Sequence, residues 1–332
     1  LSKLLEIRPW LMADGATGTN LFAMGLEAGE PPELWNVDKP DKIRALYQGF
    51  IDAGSDLILT NTFGGTRARL KLHNAQARAG ELNRVGAEIA RDCADRAGRP
   101  VIVAGSMGPT GELLVPVGPL THAEAVEMFE EQARGLIEGG ADVLWAETIY
   151  SEEEMRAASE AAANVGAPFC GTMSFDSAGR TMMGITSAGY AGIAATLPAR
   201  PIAFGANCGV GASDLLRTVL GFSAAAPDAV LIAKANAGIP SYQDGRIVYS
   251  GTPELMADYA ICARDAGARI IGGCCGSRPE HVAAMRRALE TTPPGGRRPT
   301  LEEVAERFGA FSSADDGASG AAAPKRERRR RS

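Results

Sequence analysis

Three cysteines in two glycine-rich segments are the residues of this sequence best suited to hold a metal ion. Asn207-Cys208-Gly209 is one segment, and Gly272-Gly273-Cys274-Cys275-Gly276 is the other. Three thiolates suit Zn²⁺, and three protein ligands leave a fourth position open, as in catalytic rather than structural zinc sites. The alternative is that these cysteines are small buried hydrophobic residues whose proximity is a coincidence. We favour the metal site, because three cysteines share such frames.

Two carboxylates, Asp14 and Glu147, stand where apolar runs of the sequence end. Either could bind a cationic group of a substrate, such as the ammonium of an amino acid. Either could instead accept hydrogen bonds from its own loop, and the residues alone leave this choice open. Backbone N–H groups between Gly15 and Thr19 could face an anion, although Asp-Gly-Ala-Thr-Gly-Thr is not the dinucleotide-binding pattern.

Eight short apolar runs supply the elements that must position these residues. The runs lack clear alternation of polar and apolar residues, which is typical of strands buried on both faces. The runs are Leu11–Asp14, Asp56–Thr60, Val101–Gly105, Val143–Glu147, Phe169–Ser174, Ile202–Gly205, Val230–Lys234 and Arg269–Gly272. The helix-like segments that follow them are Asp41–Ala53, Glu81–Ala97, Ala123–Gly139, Glu152–Val165, Ala188–Leu197, Ala212–Leu220, Glu254–Ala266 and Pro279–Leu289.

Eight strand–helix units predict an α/β protein with a single (β/α)8 TIM barrel. A doubly wound open sheet is the alternative, but it usually has fewer parallel strands. Barrel enzymes place their chemistry at the C-terminal ends of the strands, where Cys208 follows the sixth run and Cys274 and Cys275 follow the eighth. Adjacent residues of a regular strand point to opposite faces, so these last two can share a metal only where the strand breaks. The neighbouring glycines permit that break.

The composition excludes several classes of function. The chain has 332 residues and a formal net charge of −6, which gives no reason to expect nucleic-acid binding. No apolar run reaches the ~18 residues of a membrane helix, and the N-terminus does not resemble a signal peptide. We therefore expect a cytoplasmic protein with reduced cysteines, in which three are buried structural thiols. These three are Cys93, Cys170 and Cys262.

The C-terminal segment differs in composition from the rest of the chain. From Ser312 onward it consists mainly of Ser, Ala, Gly and Asp, and then of six basic residues between Lys325 and Ser332. Such a segment cannot bury a hydrophobic core. We predict a barrel over residues 1–311 and a disordered basic tail over residues 312–332.

The motifs at the strand ends together resemble those of a known family. They are Asp14-Gly-Ala-Thr-Gly-Thr, Thr60-Asn-Thr-Phe, Gly108-Pro-Thr, Glu147-Thr, Gly205-Ala-Asn-Cys208-Gly and Gly272-Gly-Cys-Cys-Gly276. The resemblance is to the homocysteine S-methyltransferase family, and it runs from about Leu11 to Leu289. That family includes the homocysteine-binding module of cobalamin-dependent methionine synthase and betaine–homocysteine methyltransferase. The two cysteine motifs are the most specific part of the likeness.

The resemblance implies a TIM barrel that binds zinc and homocysteine and forms methionine. The implied zinc ligands are Cys208, Cys274 and Cys275, and the implied partners of the homocysteine ammonium are Asp14 and Glu147. Thr60 and the backbone near Gly15 and Phe63 would meet the homocysteine carboxylate, and Asn207 completes the expected substrate-binding set. A free thiol ionises near pH ~8.5, so coordination to zinc is what supplies a thiolate at neutral pH.

The methyl donor is the open question at this stage. The resemblance favours methylcobalamin carried by a separate corrinoid protein, because betaine enzymes have aromatic residues where this chain has Gly64 and Thr148, and aromatic faces hold quaternary ammonium groups. Betaine or another onium donor is the alternative. A zinc- and homocysteine-binding subunit that is inactive without a partner is a second class of function. A third is an unrelated barrel enzyme with Asp14 and Glu147 as acid and base.

Overall fold

The computed structural model describes residues 1–243 and 246–314. Within these residues, eight parallel strands form one sheet and a two-stranded antiparallel hairpin stands apart. The barrel strands are β1 (Leu11–Met12), β2 (Leu57–Leu59), β3 (Ile102–Met107), β4 (Val143–Ile149), β5 (Phe169–Met173), β6 (Ala203–Cys208), β7 (Leu231–Ala235) and β10 (Ala268–Gly273). The hairpin strands are β8 (Pro240–Gln243) and β9 (Arg246–Tyr249).

The eight parallel strands form a ring. Their order is β1-β10-β7-β6-β5-β4-β3-β2, and a parallel bridge between Ala13 and Leu57 joins the two ends of this series. The N–H of Asp56 also donates to the carbonyl of Met12 at 2.7 Å across the same junction. This closure confirms the predicted (β/α)8 barrel and excludes an open doubly wound sheet.

A helix follows each barrel strand and covers it from outside. These helices are α4 (Pro40–Asp52), α6 (Ala79–Asp95), α7 (His122–Glu138), α8 (Glu152–Asn164), α9 (Ser187–Ala194), α10 (Ala212–Ala225), α11 (Pro253–Asp265) and α12 (Pro279–Thr291). Side-chain caps begin several of them. At α7, for example, Thr121 and Glu124 form a reciprocal capping box that satisfies two N–H groups which the helix itself leaves unpaired. The eight predicted helical segments are confirmed to within a few residues.

Three strands extend two or three residues further than the apolar runs predict, and β7 and β10 extend one residue further. β3, β4 and β6 end at Met107, Ile149 and Cys208, two to three residues beyond the predicted ends. Polar residues at these ends still pair with the neighbouring strand, as Cys208 does with Ala235. Glu147 therefore lies within β4 and Cys208 ends β6, so the barrel wall itself fixes their positions.

Several shorter elements are not evident from the apolar runs. They are the hairpin, α1 (Ser2–Ile7), α2 (Gly18–Ala23), α3 (Trp35–Asp38), α5 (Arg67–Lys71) and α13 (Leu301–Phe308), with 3₁₀ turns at Pro32–Leu34 and Gln76–Arg78. After α13 the chain lies on α10, where Ser312 and Ser313 bond to Asp214 and Arg217. The predicted tail boundary thus falls within an ordered contact, and residues 315–332 of that tail lie outside the described residues.

The core has two principal layers. One fills the lower barrel interior with residues such as Leu11, Trp145 and Ile270, and the other lies between the strands and the surrounding helices. Cys93, Cys170 and Cys262 are buried in these layers, as expected. Among the described helices, none has the length and apolarity needed to cross a bilayer.

Candidate metal centre and substrate site

The three predicted metal ligands meet at the C-terminal mouth of the barrel. The sulfur atoms of Cys208, Cys274 and Cys275 all lie within 4.8 Å of one another, and those of Cys208 and Cys275 are 3.9 Å apart. Each of the three residues is partly exposed. In the part of the chain that the structure describes, this is the group of side chains that could hold a metal ion.

Unusual backbone geometry brings these sulfurs together. Cys208 adopts a φ of +62°, in the left-handed region that non-glycine residues rarely occupy, and Gly209 follows at +76°. Cys274 still donates its N–H to the β7 carbonyl of Ala235 at 2.6 Å, whereas Cys275 has already left the strand and accepts from the N–H of Ala237 at 2.9 Å. The strand therefore breaks between the two cysteines, as their shared site requires.

Crowding of the sulfurs makes their ionisation unfavourable without a cation. The neighbouring thiol of Cys274 raises the pKa of Cys208 to about 12, and Cys208 in turn raises the pKa of Cys275 to about 11. A divalent cation would reverse this effect, because it attracts each thiolate and replaces the protons. The cluster thus has the electrostatics of a site built around a positive charge.

An amide side chain lies beside the cluster. Asn236, which follows β7, donates its amide N–H to the carbonyl of Gly209 at 2.8 Å and also interacts with Cys208. Its side-chain oxygen is buried and has no hydrogen-bond partner within the described structure. Buried oxygens are rarely left unsatisfied, so this atom fits a site that holds a cation. Three sulfurs fit Zn²⁺ and leave its fourth position open.

Asn207, which was expected to bind substrate, lies in β6 and contacts the sulfur of Cys274. It is 1% exposed, and its amide bonds to Thr148, Thr172 and the sulfur of Cys274. Thr148 adopts a φ of +60° and both donates to and accepts from this amide. All of these contacts are within the protein.

Asp14 has a cationic partner within the barrel. Its Oδ1 accepts from the ammonium of Lys234 at 2.5 Å, and its Oδ2 accepts from the N–H of Leu59 at 2.7 Å. Both charged side chains are almost completely buried. Burial disfavours a charged lysine, but attraction to Asp14 and Glu147 outweighs it and raises the pKa of Lys234.

Lys234 was not among the predicted site residues. The signal that could have identified it is a lysine at the end of an apolar run, because a buried strand rarely carries an unpaired charge. Tyr249 was missed as well, since the hairpin that carries it was not predicted.

Glu147 is the carboxylate at the mouth that remains available to a ligand. It is partly exposed, and its Oε1 accepts a hydrogen bond from the hydroxyl of Ser106. Within the described residues, no lysine or arginine nitrogen lies within salt-bridge distance of it. Desolvation raises the pKa of Glu147, although Lys234 acts in the opposite direction. A desolvated carboxylate near the three thiols is suited to an ammonium group.

The remaining predicted residues surround the same opening. The hydroxyl of Thr60 lies 2.6 Å from that of Thr62 and accepts from the N–H of Ser106 at 2.9 Å, so it is already bonded within the protein. Gly15 needs its lack of a side chain, because a Cβ there would come within 2.8 Å of the Phe50 ring. Phe63 is partly exposed, and its carbonyl accepts from the N–H of Gly108 at 2.9 Å.

The β8–β9 hairpin places an aromatic residue at the cluster. The hydroxyl of Tyr249 interacts with the sulfur of Cys275, and a Cβ on Gly276 would come within 2.4 Å of the Tyr249 side chain. The base of the hairpin is fixed where Gly251 donates to Ala237 at 2.8 Å. One side of the metal site is thus formed by an aromatic ring.

Comparisons with known proteins show the fold and the family of this chain. The homocysteine methyltransferase MmuM from Escherichia coli has the same fold in its metallated form, with a TM-score of 0.69 and 24% identity over 86% of this chain and 98% of that chain. Its oxidized form gives a TM-score of 0.69 and 25% identity over the same shares. The sequence model of the family named homocysteine S-methyltransferase matches residues 11–289. The protein is therefore a methyltransferase, and it belongs to the homocysteine S-methyltransferase family.

Proposed function

We propose that this protein transfers a methyl group to the sulfur of homocysteine, with zinc held by Cys208, Cys274 and Cys275, and so forms methionine. The observation that carries this proposal is the convergence of three sulfurs within 4.8 Å at the mouth of the barrel. When bound, zinc would supply the Lewis acidity that makes a thiol a thiolate nucleophile at neutral pH. The three cysteines would keep that sulfur electron-rich, because their thiolates more than neutralise the charge of the ion.

The charges in the pocket favour Glu147 as the partner of the substrate's ammonium group. Asp14, Glu147 and Lys234 together carry one net negative charge, so the pocket favours one added cation. Both oxygens of Asp14 are engaged, whereas Glu147 has one bonded partner, the hydroxyl of Ser106. In this assignment Asp14 contributes indirectly by holding Lys234 in place. The homocysteine carboxylate would then face Thr60 and the backbone near Gly15 and Phe63, as the family resemblance implies.

An onium compound is the donor that the site geometry supports best. The sequence argued against such a donor, because Gly64 and Thr148 replace aromatic residues. The ring of Tyr249 lies beside Cys275 and could take over that role from a different element. An aromatic face near the nucleophile stabilises a methyl group attached to cationic nitrogen or sulfur. Breaking the bond from that methyl group to the onium centre leaves the electron pair with the donor.

Methylcobalamin on a separate corrinoid protein is the second candidate. The observation that favours it is a group of exposed apolar side chains on loops that follow β3, β5 and β7. They are Leu113, Val115, Val117, Met182, Met183 and Ile239. Four of them, Leu113, Val115, Val117 and Met183, line one pocket, and exposed apolar side chains that lie together are typical of surfaces that contact another molecule. A corrinoid-carrying partner would be such a molecule.

Metal analysis tests the zinc assignment. The purified chain should contain one zinc ion, and Cys208→Ala should lose most of it. Cys262→Ala is the matched control, because Cys262 is buried in α11 away from the cluster and should leave the zinc content unchanged. Full zinc retention and full activity in Cys208→Ala would rule out the assignment.

A panel of donors tests the methyl transfer itself. Homocysteine would be incubated with betaine, S-methylmethionine, S-adenosylmethionine or methylcobalamin, and methionine would be measured. We expect turnover with an onium donor. Turnover with methylcobalamin alone would identify the corrinoid route, and turnover that requires an added partner would support the binding-subunit alternative.

A further inference from the structure

We propose that Asn207 is a positioning residue that holds the sulfur of Cys274, and that Thr148 fixes Asn207 for this purpose. The inference rests on the metal site of the proposed function and deepens it. It also replaces the substrate-binding role that the sequence suggested for Asn207. It is based on four hydrogen bonds of the Asn207 side chain, on the backbone strain at Thr148 and on the burial of Asn207.

The side-chain amide of Asn207 uses all of its hydrogen-bonding capacity within the protein. Its oxygen accepts from the N–H of Thr148 at 2.8 Å and from the hydroxyl of Thr172 at 2.7 Å. Its nitrogen donates to the hydroxyl of Thr148 at 2.7 Å and to the sulfur of Cys274 at 3.7 Å. A primary amide has two donors and two acceptor positions, so none remains for homocysteine.

These contacts also determine the orientation of the amide. The oxygen faces a backbone N–H of Thr148, which can only donate, so the nitrogen must face the opposite way. That opposite direction is occupied by the sulfur of Cys274. The N–H group of Asn207 therefore points at the sulfur and would stabilise it as a thiolate.

The backbone of Thr148 is strained in this arrangement. Its φ of +60° is rare for a β-branched residue, and a backbone held in this region is strained. The pairing of β4 with β5 shifts register at this point, between Ala146 and Ile149. The turned backbone lets Thr148 present both its N–H and its hydroxyl to one amide, which a regular strand residue could not do.

These hydrogen bonds connect three strands of the barrel to the sulfur of Cys274. Thr148, Thr172 and Asn207 belong to three consecutive strands, β4, β5 and β6, and Cys274 follows β10. Hydrogen bonds to the groups that hold a metal commonly change its affinity by about 10–100-fold. We therefore expect Asn207 to affect metal binding more than homocysteine binding.

Asn207→Asp is the sharpest test, because it is isosteric and replaces the amide N–H groups that face Thr148 and the sulfur of Cys274 by an acceptor oxygen. The aspartate can still accept from the N–H of Thr148 and from both threonine hydroxyls, but it would present an acceptor oxygen to the sulfur of Cys274. We expect Co²⁺ to bind about 10–100-fold more weakly, measured by competition with a chelator, and the sulfur-to-cobalt charge-transfer band to shift. Thr148→Ala should weaken Co²⁺ binding in the same direction, and Thr148→Ser should restore it.

Asn83→Asp is the matched control. Asn83 is also a buried amide that donates to two backbone carbonyls, those of Gly65 and Ala79, but it lies in α6. This variant should lower thermal stability and leave Co²⁺ affinity unchanged. Thr148→Ala keeps the test decisive if Asn207→Asp does not fold.

The outcomes separate this inference from the proposed function. If the unmodified chain binds no Co²⁺ or Zn²⁺, the proposed metal site itself fails. If the unmodified chain binds Co²⁺ and both Asn207→Asp and Thr148→Ala bind it equally well, only the positioning role is wrong. An unchanged cobalt spectrum of Asn207→Asp, together with a raised KM for homocysteine, would show that Asn207 binds substrate.

Discussion

At the scale of single residues, Glu147 should control the affinity for homocysteine. Replacement by Gln keeps the shape of the side chain and removes its charge, so the charged hydrogen bond to the ammonium is lost. Such a bond is worth about 1.5–3 kcal/mol, which predicts that KM rises by about 10–150-fold with zinc content unchanged. Steady-state kinetics and metal analysis of Glu147→Gln measure both quantities.

The pH dependence of homocysteine affinity provides an independent test of the role of Glu147. Burial raises the pKa of Glu147, so its carboxylate becomes protonated as the pH falls through that raised value. Homocysteine affinity should therefore fall at a higher pH than the ordinary pKa of a glutamate would give. Glu147→Gln should lack this decline and retain any loss that comes from the cysteines. Identical profiles and an unchanged KM would show that Glu147 is structural.

Lys234 should be essential for the stability of the barrel as long as Asp14 is present. Lys234→Met leaves the Asp14 carboxylate buried without its cation, and removal of one partner of a buried pair costs about 3–5 kcal/mol. The double variant Asp14→Asn/Lys234→Met leaves no buried charge of this pair and should recover much of that loss. Urea unfolding of the two variants measures the difference. Equal destabilisation of both would show that the two residues do not act as a pair.

At the scale of elements, the β8–β9 hairpin should determine which donor the enzyme accepts. Tyr249→Leu removes the aromatic ring beside Cys275, whereas Tyr249→Phe keeps it. A lost cation–π contact of about 1–2 kcal/mol predicts a roughly 5–30-fold increase in KM for an onium donor in the leucine variant only. Zinc content and KM for homocysteine serve as controls. The same increase in both variants would point to the hydroxyl, and no increase in either would remove Tyr249 from the donor site.

At the scale of the whole molecule, the positions of the eight barrel strands were predictable, because each strand coincides with an apolar run. Cys208, Cys274 and Cys275 could be brought together from sequence, since the sixth and eighth parallel strands of a closed barrel end on the same face. The hairpin was missed although the sequence carries a signal for it, since Asp244-Gly245 stands between its two strands and Asp-Gly is typical of β-hairpin turns.

Contacts inside the site depend on register and could not be read from the sequence. Lys234 meets Asp14 across 220 residues of chain, and Asn207 meets Thr148 across 59. Both contacts require the strands to pair in one particular alignment. The left-handed conformation of Thr148 adds a second obstacle, since a β-branched residue is disfavoured there.

The C-terminal segment shows how the end of the described chain is joined to the barrel. Ser312 donates its N–H and its hydroxyl to Asp214 at 3.1 and 2.9 Å, and the carbonyl of Ser313 accepts from Arg217 at 2.8 Å. The guanidinium of Arg217 also lies 4.7 Å from the ring centroid of Phe311. Asp214 and Arg217 lie in the first turns of α10, the helix that follows Cys208.

Two truncations separate this contact from the basic tail. A chain that ends at Phe311 loses the bonds of both serines, and hydrogen bonds to charged groups are worth about 1.5–3 kcal/mol. Its free energy of unfolding should fall by at least the value of one such bond, whereas a chain that ends at Ala314 should unfold like the full chain. Both should retain zinc and turnover at 25 °C, because the cysteines are held by β6 and β10. Lost turnover in the chain that ends at Ala314 would instead give residues 315–332 a part in catalysis.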